Sequence, residues 1–503
     1  MKGKRERIYN KINDESCTWK EFFYYGLHTL IKKDAIFSKL PYLLGDRRKI
    51  NHFDSQLNFM RGALILPILF FWKLLLIQFE RKYYKIKYPH VFTLQDIETE
   101  SFDYLFILNT KDHTITALPV LENMETKAKC LIITFKSVYI RYKYDFDNLK
   151  NTKIVFFDYE LKNLALEKYW NISKESSGKF KLLSLQNLDN DLERLIKIDK
   201  NFIKFHLKTE LIQYYLFDKI FNAFDIKGAV SIVFSTAFEL CKERKIPTFI
   251  LQHGIGGKWH GHPYVSDYWF TFDDISKDSL DEWLDYTVNV LALGSPRFEY
   301  FKNAIASQRN VTKFNIKIGK SGYKKIVTYI AVGAENDLMF QALKDLRNTL
   351  PEYVNLIIKS HPRVSLNALN LKKELQKIFT QKELQQTTFI RNEQDFYEIL
   401  SNSDVVITIS STGMLESIAA DIPTLQINFT EHSLPKQYKL STFGWKEPIK
   451  DPIIMINETI SILNNKDKCK KVIEKQRWLK NRMFKNFDNC GKVIAETIIK
   501  ESR

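Results

Sequence analysis

SDVVITISSTGMLESIAADIPTLQINF (403–429) carries the reading of the fold. VVITI (405–409) is a short β-branched run, the pattern of a strand buried on both faces. It stops at Ser410-Ser411-Thr412-Gly413, after which MLESIAA (414–420) runs at helical spacing until Pro423, and TLQINF (424–429) is the next strand. Strand, small polar turn, helix and strand make a βαβ unit. The N–H groups at a helix N-terminus are unpaired and partly positive, and hydroxyls add donors, so this turn suits an anion. Glu416 sits one turn inside the helix, where a carboxylate accepts from ribose hydroxyls. The simpler reading is that Ser410, Ser411 and Thr412 only cap the helix.

NLIIKSHPR (355–363) is a second strand ending in polar residues, Lys359-Ser360-His361-Pro362-Arg363. Ligands of open α/β sheets lie at the carboxyl ends of the strands, and both turns fall there. A residue before proline is held extended, which presents His361 between Lys359 and Arg363. The His-Pro pair, the Ser-Ser-Thr-Gly turn and the Glu on the next helix resemble the C-terminal half of bacterial GT-B glycosyltransferases. The pattern is similar to the Kdo transferases and sialyltransferases of capsule and lipooligosaccharide synthesis, and to the CDP-glycerol glycerophosphotransferases of teichoic acid synthesis. The resemblance covers about residues 228–430. It implies that His361 with Pro362, Lys359 and Arg363, and Ser410, Ser411, Thr412 and Gly413, hold the nucleotide phosphate, with Glu416 on the ribose.

LQHGIGGKWHGHP (251–263) is the informative stretch of the first half. A strand delivers Gln252 and His253, and Gly254, Gly256 and Gly257 let the backbone turn tightly. An imidazole at a strand's carboxyl end, with an ordinary pKa near 6.5, suits a general base. His260 and His262 follow, but no Asp, Glu or Cys completes a metal-ligand set, so no metal is expected. The resembled families carry a similar Gln-His-Gly, which implies an acceptor-side role for this loop. GSPRFEYF (294–301) also resembles them: it reads as a turn into a helix, and the resemblance implies a place for Arg297 in the cleft, near the phosphate. Glu335 and Asp337 in VGAENDL (332–338) read as helix caps, while the resemblance to sialyltransferases, in which an acidic motif supplies the base, implies that they rival His253. Asp145/Asp147 and Asp189/Asp191 match a metal-holding DxD in letters only and read as surface.

The rest of the chain bounds these readings. Its 503 residues allow two or three domains. Five scattered cysteines (Cys17, Cys130, Cys241, Cys469 and Cys490) without CxxC point to a reducing compartment. The charged opening is no secretory signal, so a cytoplasmic location is expected. Of the net charge of +17, a surplus of 10 falls in residues 1–90, with 18 Lys/Arg against 8 Asp/Glu. No nucleic-acid motif accompanies it. GALILPILFFWKLLLIQF (62–79) lies inside that region, flanked by Arg and Lys on both sides. It is slightly short for a spanning helix, which predicts a segment lying in an anionic inner leaflet.

From about residue 100 an α/β rhythm begins, with strands expected at 101–108, 130–135, 153–159, 229–236, 248–254, 267–272 and 288–296. A second series follows at 324–333, 355–363, 405–409 and 424–429. The expected architecture is α/β, the GT-B arrangement of two Rossmann-like doubly wound domains facing a cleft. Its parts are a basic extension (1–99), an acceptor domain (100–305), a nucleotide-donor domain (306–480) and a C-terminal helix packing back on the first domain (481–503). The expected activity is transfer of a sugar, or a glycerol-phosphate-like group, from a CMP-, CDP- or UDP-linked donor to a surface polysaccharide or lipid-linked glycan. It would proceed without metal or cofactor at the inner face of the membrane. Two rivals remain: a sugar-nucleotide epimerase of the same fold, which has a similar Ser-Gly-x-x-Glu turn and no acceptor, and a non-catalytic GT-B binding protein.

Overall fold

A computed structural model describes residues 86–167, 171, 200–232, 235–252, 266–281, 288–310, 324–332, 335–360, 365–390, 396–429, 434 and 439–503. The apolar segment 62–79 and residues 1–85 as a whole lie outside them. Among the described residues no helix is long and apolar enough to cross a membrane.

The first half builds an all-parallel sheet in the order β1-β4-β3-β2-β5-β6-β7-β8. Its strands are β1 (Val91–Phe92), β2 (Tyr104–Leu108), β3 (Cys130–Thr134), β4 (Thr152–Phe156), β5 (Gly228–Ser231), β6 (Thr248–Leu251), β7 (Tyr268–Thr271) and β8 (Asn289–Ala292). Alternate residues of each strand enter different cores, as the two-residue period of a strand requires. Phe106, Ile132, Ile154 and Phe249 face α1 (Lys111–Met124) and the C-terminal helix. Leu105, Ile107, Leu131 and Val155 face α2 (Phe157–Glu167), α3 (Lys200–Ala223) and α4 (Ala237–Arg244). Each such side chain, fully buried, contributes about 1.5–3 kcal/mol, which is why these runs carry no polar face. α5 (Asp274–Asp281) follows β7.

The second sheet runs β11-β10-β9-β12-β13, again all parallel. It comprises β9 (Lys325–Ile330), β10 (Val354–Lys359), β11 (Thr387–Ile390), β12 (Val405–Thr408) and β13 (Thr424–Gln426). α7 (Asp337–Thr349) and α8 (Ser365–Ile378) cover one face, joined there by α11 (Pro452–Asn464). The other face is covered by α9 (Phe396–Asn402) and by a helix that leaves the first sheet, α6 (Pro296–Asn310).

α6 is what joins the two halves. Its Phe298 packs with Phe272 of the first half and with Met414, Leu415 and Ile418 of α10 (Thr412–Ala419). Its Phe301 packs with Ile330, Val406 and Leu400. α12 (Lys466–Met483) adds Leu479 and Met483 to the same cluster. The chain then returns to the first sheet, where α13 (Cys490–Glu501) inserts Cys490, Ile494, Ala495 and Ile498 beside α1. Gly491 permits the approach, because a Cβ there would stand 2.6 Å from the Pro119 carbonyl oxygen.

Candidate functional site

In the second sheet the chain runs outward from β9 to β10 and β11, then crosses back so that β12 lies on the other side of β9. This reversal makes a crevice at the carboxyl ends of β9 and β12. Thr408 at the end of β12 pairs with Ile330 at the end of β9, and its hydroxyl donates to the Ile330 carbonyl at 3.0 Å. The Ser410–Thr412 turn therefore leaves the sheet directly beside the β9–α7 loop.

Ser411 is the N-cap of α10: its backbone is extended and its hydroxyl accepts from the Gly413 N–H at 3.1 Å. The capping reading of this serine is therefore present in the structure, and Ser410 and Thr412 flank it half-buried. Gly413 is required by packing, since a Cβ would come within 2.8 Å of Phe396 Cζ and 3.0 Å of Ile330 Cδ1. From Gly413 to Ala419 every residue of α10 is buried, so the helix start is rigidly seated at the crevice.

Glu416 lies inside that buried helix, with its side chain 1% exposed, and it faces Arg297. Arg297 Nε and Nη2 both converge on Glu416 Oε1, at 2.7 and 2.6 Å. A buried carboxylate is tolerated only with a charge-assisted partner of this kind. The residue expected in the acceptor-side cleft thus meets the residue expected at the nucleotide. Arg297 sits in the first turn of α6, directly after a turn whose Gly294 has φ of +101°. A Cβ on Gly294 would stand 2.0 Å from the Lys485 carbonyl oxygen, so the turn accepts only glycine.

On the other side of the crevice, Glu335 Oε1 accepts from the Val332 N–H at 2.7 Å and from the Tyr329 hydroxyl at 3.0 Å, which folds the β9–α7 loop back on itself. Asn336 caps α7, accepting from the Met339 N–H at 3.0 Å, and Asp337 is exposed at the first helical position. Lys359 is 3% exposed at the end of β10, where its ammonium donates to the Ser360 carbonyl at 2.9 Å and lies over the Phe396 ring. His361, Pro362 and Arg363, and likewise His253, Gly254, His260 and His262, lie outside the described residues. Gln252 is described: its side-chain oxygen accepts from the Phe272 N–H at 3.0 Å and ties the exits of β6 and β7 together.

Two groups escaped the sequence reading. Asp273, at the exit of β7, is buried and caps α5, accepting from the Ser276 N–H at 2.7 Å and the Ser276 hydroxyl at 3.2 Å. Burial pushes its carboxyl up to about 6, against those hydrogen bonds. At the exit of β2, where the first sheet reverses between β2 and β5, His113 is buried and its Nδ1 accepts from the Asn109 N–H at 3.2 Å. The strand SFDYLFIL followed by Asn109-Thr110 and a histidine within one turn was the available signal. Asp145 and Asp147 sit on the short helix Lys143–Asp147, not after a strand, and Asp147 accepts from the Tyr139 hydroxyl. Among the described residues no cluster could hold a metal ion.

Neither a protein-family model nor a curated protein matches the chain. Solved structures do match in fold. The UDP-GlcNAc 2-epimerase from Neisseria meningitidis bound to UDP-GlcNAc superposes with a TM-score of 0.52 at 14% identity, over 79% of this chain and 100% of that one. A further UDP-N-acetylglucosamine 2-epimerase superposes with a TM-score of 0.51 at 11% identity, over 80% of this chain and 96% of that one. At such identity the likeness establishes the fold: two Rossmann-like sheets in the GT-B arrangement. It also corrects one expectation. Transfer to a surface glycan rested on short motifs shared with glycosyltransferases, whereas the structures matched over almost their whole length are sugar-nucleotide epimerases.

Proposed function

We propose that the chain binds a UDP-sugar between its two sheets and epimerises it. The observation that carries this reading is the β12–α10 turn, where a rigidly seated helix N-terminus with three hydroxyl residues opens at the reversal point of the second sheet. In that place the helix start and Ser410, Ser411 and Thr412 meet the diphosphate. His361, Pro362 and Arg363 follow β10 in the sequence, the strand on the far side of β9 from β12, and Lys359 stands at its end. Glu416 reaches a ribose only if its pair with Arg297 opens, so in the observed arrangement it serves the site through Arg297.

Inverting a sugar carbon requires the C–H bond to break on one face and a proton to be returned on the other. Candidate bases come from both halves of the chain: Asp273 at the exit of β7, His253, which follows Gln252 in the sequence, and Glu335 and Asp337 at the β9–α7 loop. With no acceptor in the reaction, His253 is assigned to the sugar itself. Two measurements test this. UDP and UDP-GlcNAc should raise Tm where CMP and GDP do not, since a ligand at 100 times its Kd adds about 2.7 kcal/mol. Incubation with UDP-GlcNAc in D2O should give a second set of anomeric resonances and one incorporated deuteron. Stabilisation by no nucleotide refutes the binding reading. Stabilisation with neither deuterium nor a new sugar signal leaves a binding protein and refutes the epimerase.

A further inference from the structure

Beyond the cleft, α12 carries an uncommon surface. Lys471, Lys475, Trp478 and Arg482 follow one another at intervals of four, three and four residues, which places them on a single stripe of a helix. All four are exposed. The opposite side of the helix, with Gln476, Leu479 and Met483, is buried against the protein. The stripe is therefore one edge of the helix's free face, which also carries Glu474, ion-paired with Lys470.

Its charge is uncompensated. Other cations nearby are paired: Lys480 and Arg477 with Asp421, and Lys485 with Asp274. Among the described residues no acid lies within ion-pair distance of Lys471, Lys475 or Arg482. Between these cations stands Trp478, 47% exposed, with the Arg482 guanidinium 4.9 Å from its ring. The ring is held at the surface by a turn at Gly444 (φ +91°), where a Cβ would come within 3.0 Å of Trp478 Cη2. The stripe thus presents a half-exposed indole beside three cations, an amphipathic ring at the level of positive charge.

We propose that this stripe docks on an anionic lipid bilayer, with Trp478 at headgroup depth and the three cations on lipid phosphates. From Lys471 to Arg482 the helix rises 11 steps, about 17 Å, a line that lies on a plane. Indole rings favour the membrane interface, and basic side chains are drawn to an anionic leaflet. A single-stranded nucleic acid is the less suited occupant, because it needs a groove with successive aromatic platforms, and this face is convex with one. A second copy of the same face is excluded by like charge.

The test uses full-length protein and vesicles of phosphatidylglycerol and phosphatidylcholine at low salt. Each cation is worth about fivefold in partitioning, so Lys471→Ala/Lys475→Ala/Arg482→Ala should lower binding roughly a hundredfold. Trp478→Ala should lower it further. The control Lys373→Ala/Lys377→Ala/Lys382→Ala removes the same charge on the β11 side of the second sheet and should change binding less than about threefold. All substituted side chains are exposed, and equal Tm values verify folding. Equal loss in both triple variants, or no loss in either, overturns the proposal. So does a stripe variant that loses affinity for a single-stranded homopolymer RNA but not for vesicles.

Discussion

Removing Arg297 should cost a large share of the chain's stability, and the reason is Glu416. In Arg297→Met the carboxylate stays in helix α10, 1% exposed, after losing two charge-assisted bonds of 2.7 and 2.6 Å. Breaking a buried pair by deleting one partner typically costs about 3–5 kcal/mol. For a domain of ordinary size 1 kcal/mol moves Tm by about 2–4 °C, so the expected drop is about 6–20 °C. Without Arg297 the buried carboxyl is better tolerated protonated than charged, so the deficit should shrink as the pH is lowered. Glu416→Leu should cost a similar amount, because it strands a guanidinium. The double variant should recover most of the loss, since apolar groups of similar volume replace buried ion pairs at little or no cost. Calorimetry of the four proteins at pH 7.5 gives the coupling directly. Single losses below about 1 kcal/mol that simply add would refute the argument, and would mean that water already reaches the pair.

Asp273→Asn tests burial at the exit of β7. The folded carboxyl is raised from 3.8 to about 6, so between those values the native state holds the extra proton and stability falls as pH rises, by about 3 kcal/mol in all. The stability of the Asn variant minus that of the native protein should therefore grow from pH 4 to 6 and level off above; a flat difference would show that Asp273 ionises alike in both states. Ser411 separates cap from ligand: Ser411→Ala should lose about 1 kcal/mol and Ser411→Gly only a few tenths, while both should bind UDP roughly tenfold more weakly. A glycine variant that binds UDP normally reduces Ser411 to a cap. Gly294→Ala should lower Tm by several degrees or prevent folding, because a Cβ would stand 2.0 Å from the Lys485 carbonyl oxygen at a φ of +101°; an unchanged Tm would mean that the turn adapts.

The strands were legible because parallel strands buried on both faces leave long β-branched runs, and those of VVITI and NLIIK coincide with β12 and β10. What escaped lacked that pressure. β1 is two residues at a sheet edge, and β11 (TTFI) is only partly buried at the other sheet's edge, so neither needs a continuous apolar run. α1 was invisible for a different reason. Pro119 stands inside it and interrupts the helical pattern, yet the helix continues, packed between the first sheet and α13.

The candidate site was legible as residues and not as partners. Local spacing identifies a capped helix at Ser411 and a turn at Gly294, because each is decided within a few residues of chain. The pairing of Arg297 with Glu416 spans 119 positions and depends on α6 leaving one sheet to cover the face of the other, which no local pattern encodes. The sequence therefore offers each side chain as a cleft residue without showing that the two meet. Their union has a mechanical consequence. The Lys485 carbonyl packs against Gly294, the Gly294 N–H donates to the Thr271 carbonyl at the end of β7, the turn leads into Arg297, and Arg297 holds Glu416 one turn inside the helix whose start faces the crevice. α6 therefore carries Arg297 out of the first half of the chain and onto the second sheet, so the seating of the helix behind the β12–α10 turn depends on a side chain that the turn's own sequence does not contain.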